Sequence, residues 1–488
     1  MPQMTVAVIG AGFSGTLLSL WLHASAPSGA RICLIDRERF AVGRAYATSN
    51  RNHLLNVPAG RMSALPDHPG DFVRWLQEQP KARPSDLAVS EAAFVPRVLY
   101  GAYLQDLLYA AMRRSHSAGL DLLEDAAIWV EERLDGVAIG LASGATLCAD
   151  VGVLAIGNPP PLPVHPDTDR LDAAGLWRGN PWDYATFASL DPRAPVLLIG
   201  TGLTMVDAVI SLLDAGHTGP IRALSRHGFL PRRHAASQAA PAVLPAPPPN
   251  ELRPLMRIVR REIERALEAG TDWRPVIDAL RPSTQDMWQG LSERERGQFL
   301  RHLRTWWDVH RHRMAPAAAD RIEAALASGQ LCLHAGRIVS LDVRGGMASV
   351  IFRRRGTGTV AAVSAARVIN CTGPATDVTC STEPLMQALL RTGLARPDPH
   401  RLGLDVSASG ALINRDGQPS GRLFAVGPLT KGARWEITSV PDIRTQCRDM
   451  ANSLGLLLAR RATGDGGSAP MPFRALPMRS PEFAGRGN

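Results

Sequence analysis

The sequence predicts an α/β fold: two nested Rossmann-type dinucleotide-binding domains with a helical insertion. Three observations carry that reading. A short apolar strand, Thr5 to Ile9, runs into Gly10-Ala11-Gly12-Phe13-Ser14-Gly15 and then into a helical pattern. A second strand, turn and helix of the same kind begins at Gly200-Thr201-Gly202. Two further apolar strands, ending near Gly157 and Gly373, bracket that second turn, so the first domain is expected to be interrupted by the second.

In the opening turn each glycine has its own task. Gly10 allows the tight bend, Gly12 lets a pyrophosphate approach the backbone, and Gly15 lets the helix pack closely on the strand. The helix that starts at Phe13 and Ser14 presents its positive end to the phosphates. The next strand, Arg31 to Ile35, ends in Asp36, a carboxylate placed to accept hydrogen bonds from ribose hydroxyls. Two loops follow, 37–46 and 52–63. They carry glycine, proline and polar side chains without helical or strand period, and place Arg44, Asn56 and Val57 where a ligand of such a fold lies. A helix is expected from Tyr100 to Arg114, then a buried strand that leaves the domain at Gly157-Asn158-Pro159-Pro160.

At the second turn Met205 stands where the third glycine would be. Arg226 and Asp36 each lie 26 residues after the first glycine of their turns, at Gly200 and Gly10. An acid suits a free ribose, whereas a cation suits a ribose 2′-phosphate, so NADPH is favoured over NADH at the second site. Beyond it, an Ala/Pro-rich loop spans Arg232 to Pro254. Helices are expected from Leu255 to Ala269 and from Ser292 to Arg313, and a β-rich stretch from Leu331 to Val360. The strand Arg367 to Asn370 runs out through Gly373-Pro374. A last strand enters Gly427-Pro428, and Ser439-Val440-Pro441-Asp442-Ile443 reads as a helix start whose free amides would face a negative charge. The expected domains are 1–160 with 366–488, 190–235 with 320–365, and an insertion over 236–320.

Composition narrows the class. With 488 residues, 45% hydrophobic and 20% charged, the chain has material for two or three globular domains. It has no apolar run long enough for a bilayer. The short segment Leu17 to Leu22 reads as part of the first helix rather than as a targeting signal. The net charge of +9 comes from scattered arginines with only two lysines, Lys81 and Lys431, so neither a nucleic acid nor a membrane partner is expected. Six cysteines without a close pair predict no metal site, no disulfide framework and a cytoplasmic setting. Oligomeric state is not legible.

Several segments together resemble a known family. They are His53-Leu54-Leu55-Asn56-Val57-Pro58-Ala59-Gly60-Arg61-Met62-Ser63, Ala155 to Pro160, Gly200-Thr201-Gly202-Leu203-Thr204-Met205-Val206-Asp207, Trp307 to Arg313, and Gly427-Pro428 with Trp435-Glu436. The chain is similar to FAD/NAD(P)-binding proteins that include bacterial FAD-dependent urate hydroxylases and aspartate N-monooxygenases. The resemblance implies FAD at the first turn and NADPH or NADH at the second, with Gly200, Gly202, Leu203, Thr204, Asp207 and Arg226 at the latter, and Gly373 as a further cofactor contact where the chain returns to the first domain. It also implies Gly157, Gly427 and Ile443 among the cofactor contacts. The expected activity is a monooxygenase that uses O2 on a small polar substrate, urate first. Arg61, Arg313 or Arg434 would then hold the anion, with His310 as base. The alternatives are an amino-acid N-monooxygenase, an NAD(P)H:acceptor reductase and a non-catalytic flavin-binding regulator.

Overall fold

The computed structural model describes residues 4–79, 88–114, 118–235, 244–245 and 248–462. The chain divides into two compact units. Met1–Ala47, Pro58–Pro159 and Thr376–Asn488 form the first; Thr48–Val57 and Pro160–Ala375 form the second.

In the first unit Thr5–Ile9 lies between Arg31–Asp36 and Val151–Leu154, parallel to both. Gly119–Glu124 and Pro419–Ala425 extend the sheet in parallel on either side, and Ala411–Ile413 ends it antiparallel. The central strands are apolar runs rather than alternating ones, as a sheet covered on both faces requires. Phe13–Ser25 packs on the long helix Val440–Ala462. A three-stranded antiparallel sheet, Ala127–Glu132, Val137–Leu141 and Thr146–Ala149, shares a buried core with the helix Pro384–Thr392 through Val130, Ile139, Leu389 and Leu423.

The second unit repeats the plan. Val196–Ile199 lies between Ile221–Ser225 and Arg367–Asn370, parallel to both. Leu331–Arg344 follows Ile221–Ser225 in parallel over its first residues, then pairs antiparallel with Met347–Arg354, which pairs with Val360–Ala365. Trp177–Arg178 lies beyond Arg367–Asn370.

These pairings correct the expected boundaries. Arg367–Asn370 belongs to the second sheet, because its buried apolar residues register with Val196–Ile199. The helices of the insertion fall in the same compact unit as that sheet, and Thr48–Val57 joins it from the N-terminal part of the chain. The helix expected from Ser292 to Arg313 is two, Glu293–His302 and Arg304–Arg311, parted at Leu303 where φ is −113°. Ser292 and Glu295 cap the first of them reciprocally. Residues 236–243 and 246–247 of the Ala/Pro-rich loop, and the tail from Thr463, lie outside the described residues. No helix among the described residues is long and apolar enough to cross a membrane.

Candidate functional site

The first turn is built by close backbone approach. Gly10 has φ +103°, and a Cβ there would lie 2.6 Å from the Ala155 carbonyl oxygen. The Gly10 amide donates to the Ile35 carbonyl at 2.7 Å, and the Ala155 amide donates to that of Ile9 at 2.7 Å. A Cβ on Gly15 would overlap the Gly10 carbonyl oxygen, so this helix–strand contact admits only glycine. Gly12 caps the helix Phe13–Ser25 without any side-chain cap, leaving the amides of its first turn for a ligand. The Asp36 carboxylate accepts from the Ala11 amide at 2.5 Å and from Arg37 at 2.7 Å, which fixes it beside the turn.

Around this turn stand several residues that the sequence singles out. Ser14 is buried against Gly427, whose φ is +75° and whose missing side chain makes room for the Ser14 hydroxyl. Phe13 packs on Tyr46 and Tyr100, with centroids at 6.3 and 6.0 Å. The exposed Arg44 donates to the Asn158 carbonyl at 3.3 Å, next to Gly157, which has φ +71° and open space around it. Ile443 differs from expectation: its amide donates to Ser439 at 3.0 Å, so its buried side chain rather than a free amide is what it can offer. Arg61 is exposed on the short turn Ala59–Arg61. Arg434 is half-buried, its pKa lowered by that burial, and it lines a shallow pocket with Ser409 and Asp449.

Gln446 is a residue that sequence reasoning missed. Fully buried, it accepts from the Gly427 amide at 2.8 Å and donates to the Thr430 hydroxyl at 3.0 Å, so it sets the conformation of that turn. A polar residue in a long helix, 19 positions from its partner, carries no local signal. Gly43 was missed as well. It has φ +50° and lies against the Gly12 Cα, and a glycine in the loop after the second strand was a usable sign.

The second turn reproduces the first. Gly200 has φ +111°, a Cβ there would overlap the Cys371 carbonyl, and its amide donates to Leu224 at 2.8 Å. The Cys371 amide donates to Ile199 at 2.8 Å, and Gly373, with φ +84°, follows two residues later. Burial raises the Cys371 thiol pKa and keeps the thiol protonated. Gly202 caps Leu203–Asp214 without a side-chain cap, and a Cβ there would meet nothing within 4 Å. Leu203 and Thr204 open that helix, while Met205 is fully buried in place of a third glycine. Thr201 and Ser225 bond through their hydroxyls at 2.9 Å, tying the turn to the strand end from which the exposed Arg226 projects. Both turns thus fit a dinucleotide: a glycine cradle, a bare helix N-terminus, and an acid or a cation at the neighbouring strand end.

Asp207 is buried one turn into that helix. Its carbonyl accepts from His53 Nε2 at 3.1 Å, and His53 Nδ1 accepts from the Thr48 hydroxyl at 2.8 Å. Asn50 and Asn52 donate to Asp214 at 2.9 and 3.0 Å. These bonds pin Thr48–Val57 to the helix, so Asn56 and Val57, expected beside the flavin in the first domain, belong to the second unit.

The helical part of the second unit holds the other two expected site residues. Arg313 is 2% exposed, donates to the Asp278 carboxylate and lies 5.8 Å from the Trp273 ring centroid. That pairing engages Arg313 with a carboxylate of the chain, where the sequence reading expects it to hold a substrate anion. His310 packs edge-on against Trp273 at 4.6 Å. Its Nδ1 donates to the Trp306 carbonyl at 2.8 Å, which leaves the Nε2 lone pair as acceptor. Burial lowers its pKa and favours the neutral imidazole.

A family model described as FAD-NAD(P)-binding matches residues 7–159. No curated protein matches the chain in sequence. Among solved structures, a reduced ornithine hydroxylase from Pseudomonas aeruginosa aligns at TM-score 0.63 and 15% identity, covering 94% of this chain and 100% of its own. An L-lysine 6-monooxygenase from Pseudomonas syringae aligns at TM-score 0.60 and 14% identity, covering 94% and 99%. An FAD-bound cadaverine monooxygenase from Erwinia amylovora aligns at TM-score 0.62 and 13% identity, covering 98% of each chain. At these identities the likeness establishes the fold.

Proposed function

We propose that this chain is an FAD-dependent monooxygenase that uses a nicotinamide dinucleotide and O2 to hydroxylate the nitrogen of a small amine. The observation that carries the reading is the pair of dinucleotide turns, one backed by Asp36 and one by Arg226, in a fold shared along its length with ornithine, lysine and cadaverine monooxygenases. Those neighbours are named for amines. Urate, the first expectation from the family resemblance, has no support among them, and the amino-acid N-monooxygenase alternative fits them better.

The overall reaction balances as R–NH2 + O2 + NADPH + H+ → R–NHOH + H2O + NADP+. When bound, FAD would supply the redox and oxygen-activating chemistry that the side chains cannot. The protein's part is to bind, orient and keep water away. Gly10, Gly12 and Gly15 with the amides of Phe13 and Ser14 receive the FAD pyrophosphate, and Asp36 its ribose. Arg44, Gly157, Gly427 and the Ile443 side chain line the remainder. Gly200, Gly202, Leu203, Thr204 and Gly373 shape the nicotinamide-nucleotide cradle, Arg226 meets its ribose phosphate, and Asp207, Asn56 and Val57 support that side. An amine must lose its proton before it can accept oxygen, and His310, whose Nδ1 is engaged and whose Nε2 keeps its lone pair, is the proposed base. Arg61, exposed and without an ion pair among the described residues, is the proposed cation for a substrate carboxylate; Arg313 pairs with Asp278 beside Trp273.

The test is product analysis with ornithine, lysine, cadaverine, aspartate and urate, following NADPH oxidation, O2 uptake, peroxide and hydroxylamine together. Hydroxylamine formed from an amine with little peroxide supports the reading. Coupled oxidation with urate alone would restore the urate assignment. Cofactor oxidation that ends as peroxide with every compound points to the acceptor reductase. Flavin binding without NADPH oxidation points to the regulator.

A further inference from the structure

We infer that Arg355 is a second cation of the nicotinamide-nucleotide site, sharing the ribose 2′-phosphate with Arg226 and making the chain selective for NADPH over NADH. This rests on the proposal that the second glycine turn binds a nicotinamide dinucleotide.

The placement comes from the sheet. Ser225, the last residue of its strand, registers with Ala335 on the neighbouring strand. The Ala335 carbonyl accepts from the Arg355 amide at 2.9 Å, just past the end of Met347–Arg354. Arg226, one residue beyond Ser225, and Arg355, hung on Ala335, therefore leave the sheet on one row that crosses three strands. The turn between them is tightly built. Gly228 has φ +67°, donates to Ser225 Oγ at 2.9 Å, and is so close to Ala335 that a Cβ would lie 3.1 Å from the alanine methyl. The turn that carries Arg226 and His227 is thus folded against Ala335, the residue whose carbonyl holds the Arg355 amide.

Charge and orphaned polarity point to an anion there. Burial lowers the His227 pKa, and the positive charges of Arg355 and Arg226 lower it further, so all three groups share one neighbourhood. His227 Nδ1 is buried and has no hydrogen-bond partner among the described residues. No carboxylate among the described residues forms an ion pair with Arg226 or Arg355. Two unpaired guanidiniums beside an orphaned imidazole nitrogen, at the carboxyl end of a parallel strand, match a phosphate dianion in charge and position. A ribose 2′-hydroxyl offers only one of these groups a partner. The sequence gives Arg226 the position of Asp36; the hairpin adds a second cation that no spacing rule places.

The test is calorimetric titration of the full chain with 2′,5′-ADP, which carries the distinguishing phosphate, and with 5′-ADP, which lacks it. Wild type is expected to favour 2′,5′-ADP. Arg355→Ala should lose about tenfold in 2′,5′-ADP affinity, the worth of one charge-assisted hydrogen bond, with 5′-ADP affinity unchanged. Arg355→Glu should lose more, and Arg355→Lys should keep most of the preference. Unchanged circular dichroism and melting of each variant keep the comparison free of misfolding. If Arg226→Ala abolishes the preference while Arg355→Glu leaves it intact, the inference about Arg355 is wrong and the NADPH reading stands. If wild type binds neither fragment, nor NADPH, nor NADH, the assignment of the second turn falls, and this inference with it.

Discussion

Arg313 and Asp278 form an ion pair in which the guanidinium is 2% exposed and stacked toward Trp273. Removing one partner leaves the other charge desolvated. Arg313→Ala should cost about 3 kcal/mol in denaturant unfolding. Asp278→Ala should be destabilising as well, and the double variant should cost less than the sum of the two. A substrate-binding role would appear otherwise, as a raised KM with stability unchanged.

The two glycine turns respond differently to the same substitution. Gly15→Ala drives a methyl into the Gly10 carbonyl, so the variant should lose about 3 kcal/mol or fail to retain flavin. Gly202→Ala has φ −83° and open space, so its melting temperature should match wild type. The added methyl stands where the pyrophosphate approaches, and NADPH affinity should fall about tenfold by titration.

Asp36 holds the Ala11 amide and is assigned the FAD ribose, so Asp36→Ala removes both hydrogen bonds. Flavin affinity should weaken by about tenfold to a hundredfold, read from the recovery of flavin fluorescence on dilution. Asp36→Asn, which keeps an acceptor, should lose less.

His234 donates from Nε2 to the Asn56 carbonyl at 3.0 Å, and its pKa is pushed down to about 4, first by burial and then by the charge of Arg313. The unfolded chain binds a proton near the ordinary pKa of about 6.5 and the folded chain does not. Stability is therefore full above pH 6.5 and falls as pH drops toward 4, by at most about 1.4 kcal/mol per pH unit from this group. His234→Gln keeps a donor and removes the titration. Its unfolding free energy should decline less steeply than wild type across that window; equal slopes would sink the assignment.

The parts of the site legible in the sequence are those whose constraint is local. Gly10, Gly15 and Gly200 follow from positive φ or from close backbone approach, and both act within a few residues of the strand end; Gly12 and Gly202 follow from their place before a helix. The 26-residue spacing to Asp36 and Arg226 follows from the length of one strand–helix–strand unit. The capping pattern at Ser439 locates a helix start without saying which amides its own first turn consumes, and that of Ile443 is one of them. The burial and pairing of Arg313 were not legible, because its partner, Asp278, lies 35 residues away on the helix Arg274–Ala279.

The sequence by itself determined that this chain builds two dinucleotide turns, one acidic and one cationic, because that information resides in short-range backbone geometry and the period of apolar residues. Tertiary structure alone decided which sheet Arg367–Asn370 enters, that Thr48–Val57 is pinned to the helix Leu203–Asp214, and that Arg355 stands on the same row as Arg226. Those choices depend on strand pairing and on hydrogen bonds between residues more than a hundred positions apart. Their energies are set by the packing of the whole unit, and no local window of sequence contains them.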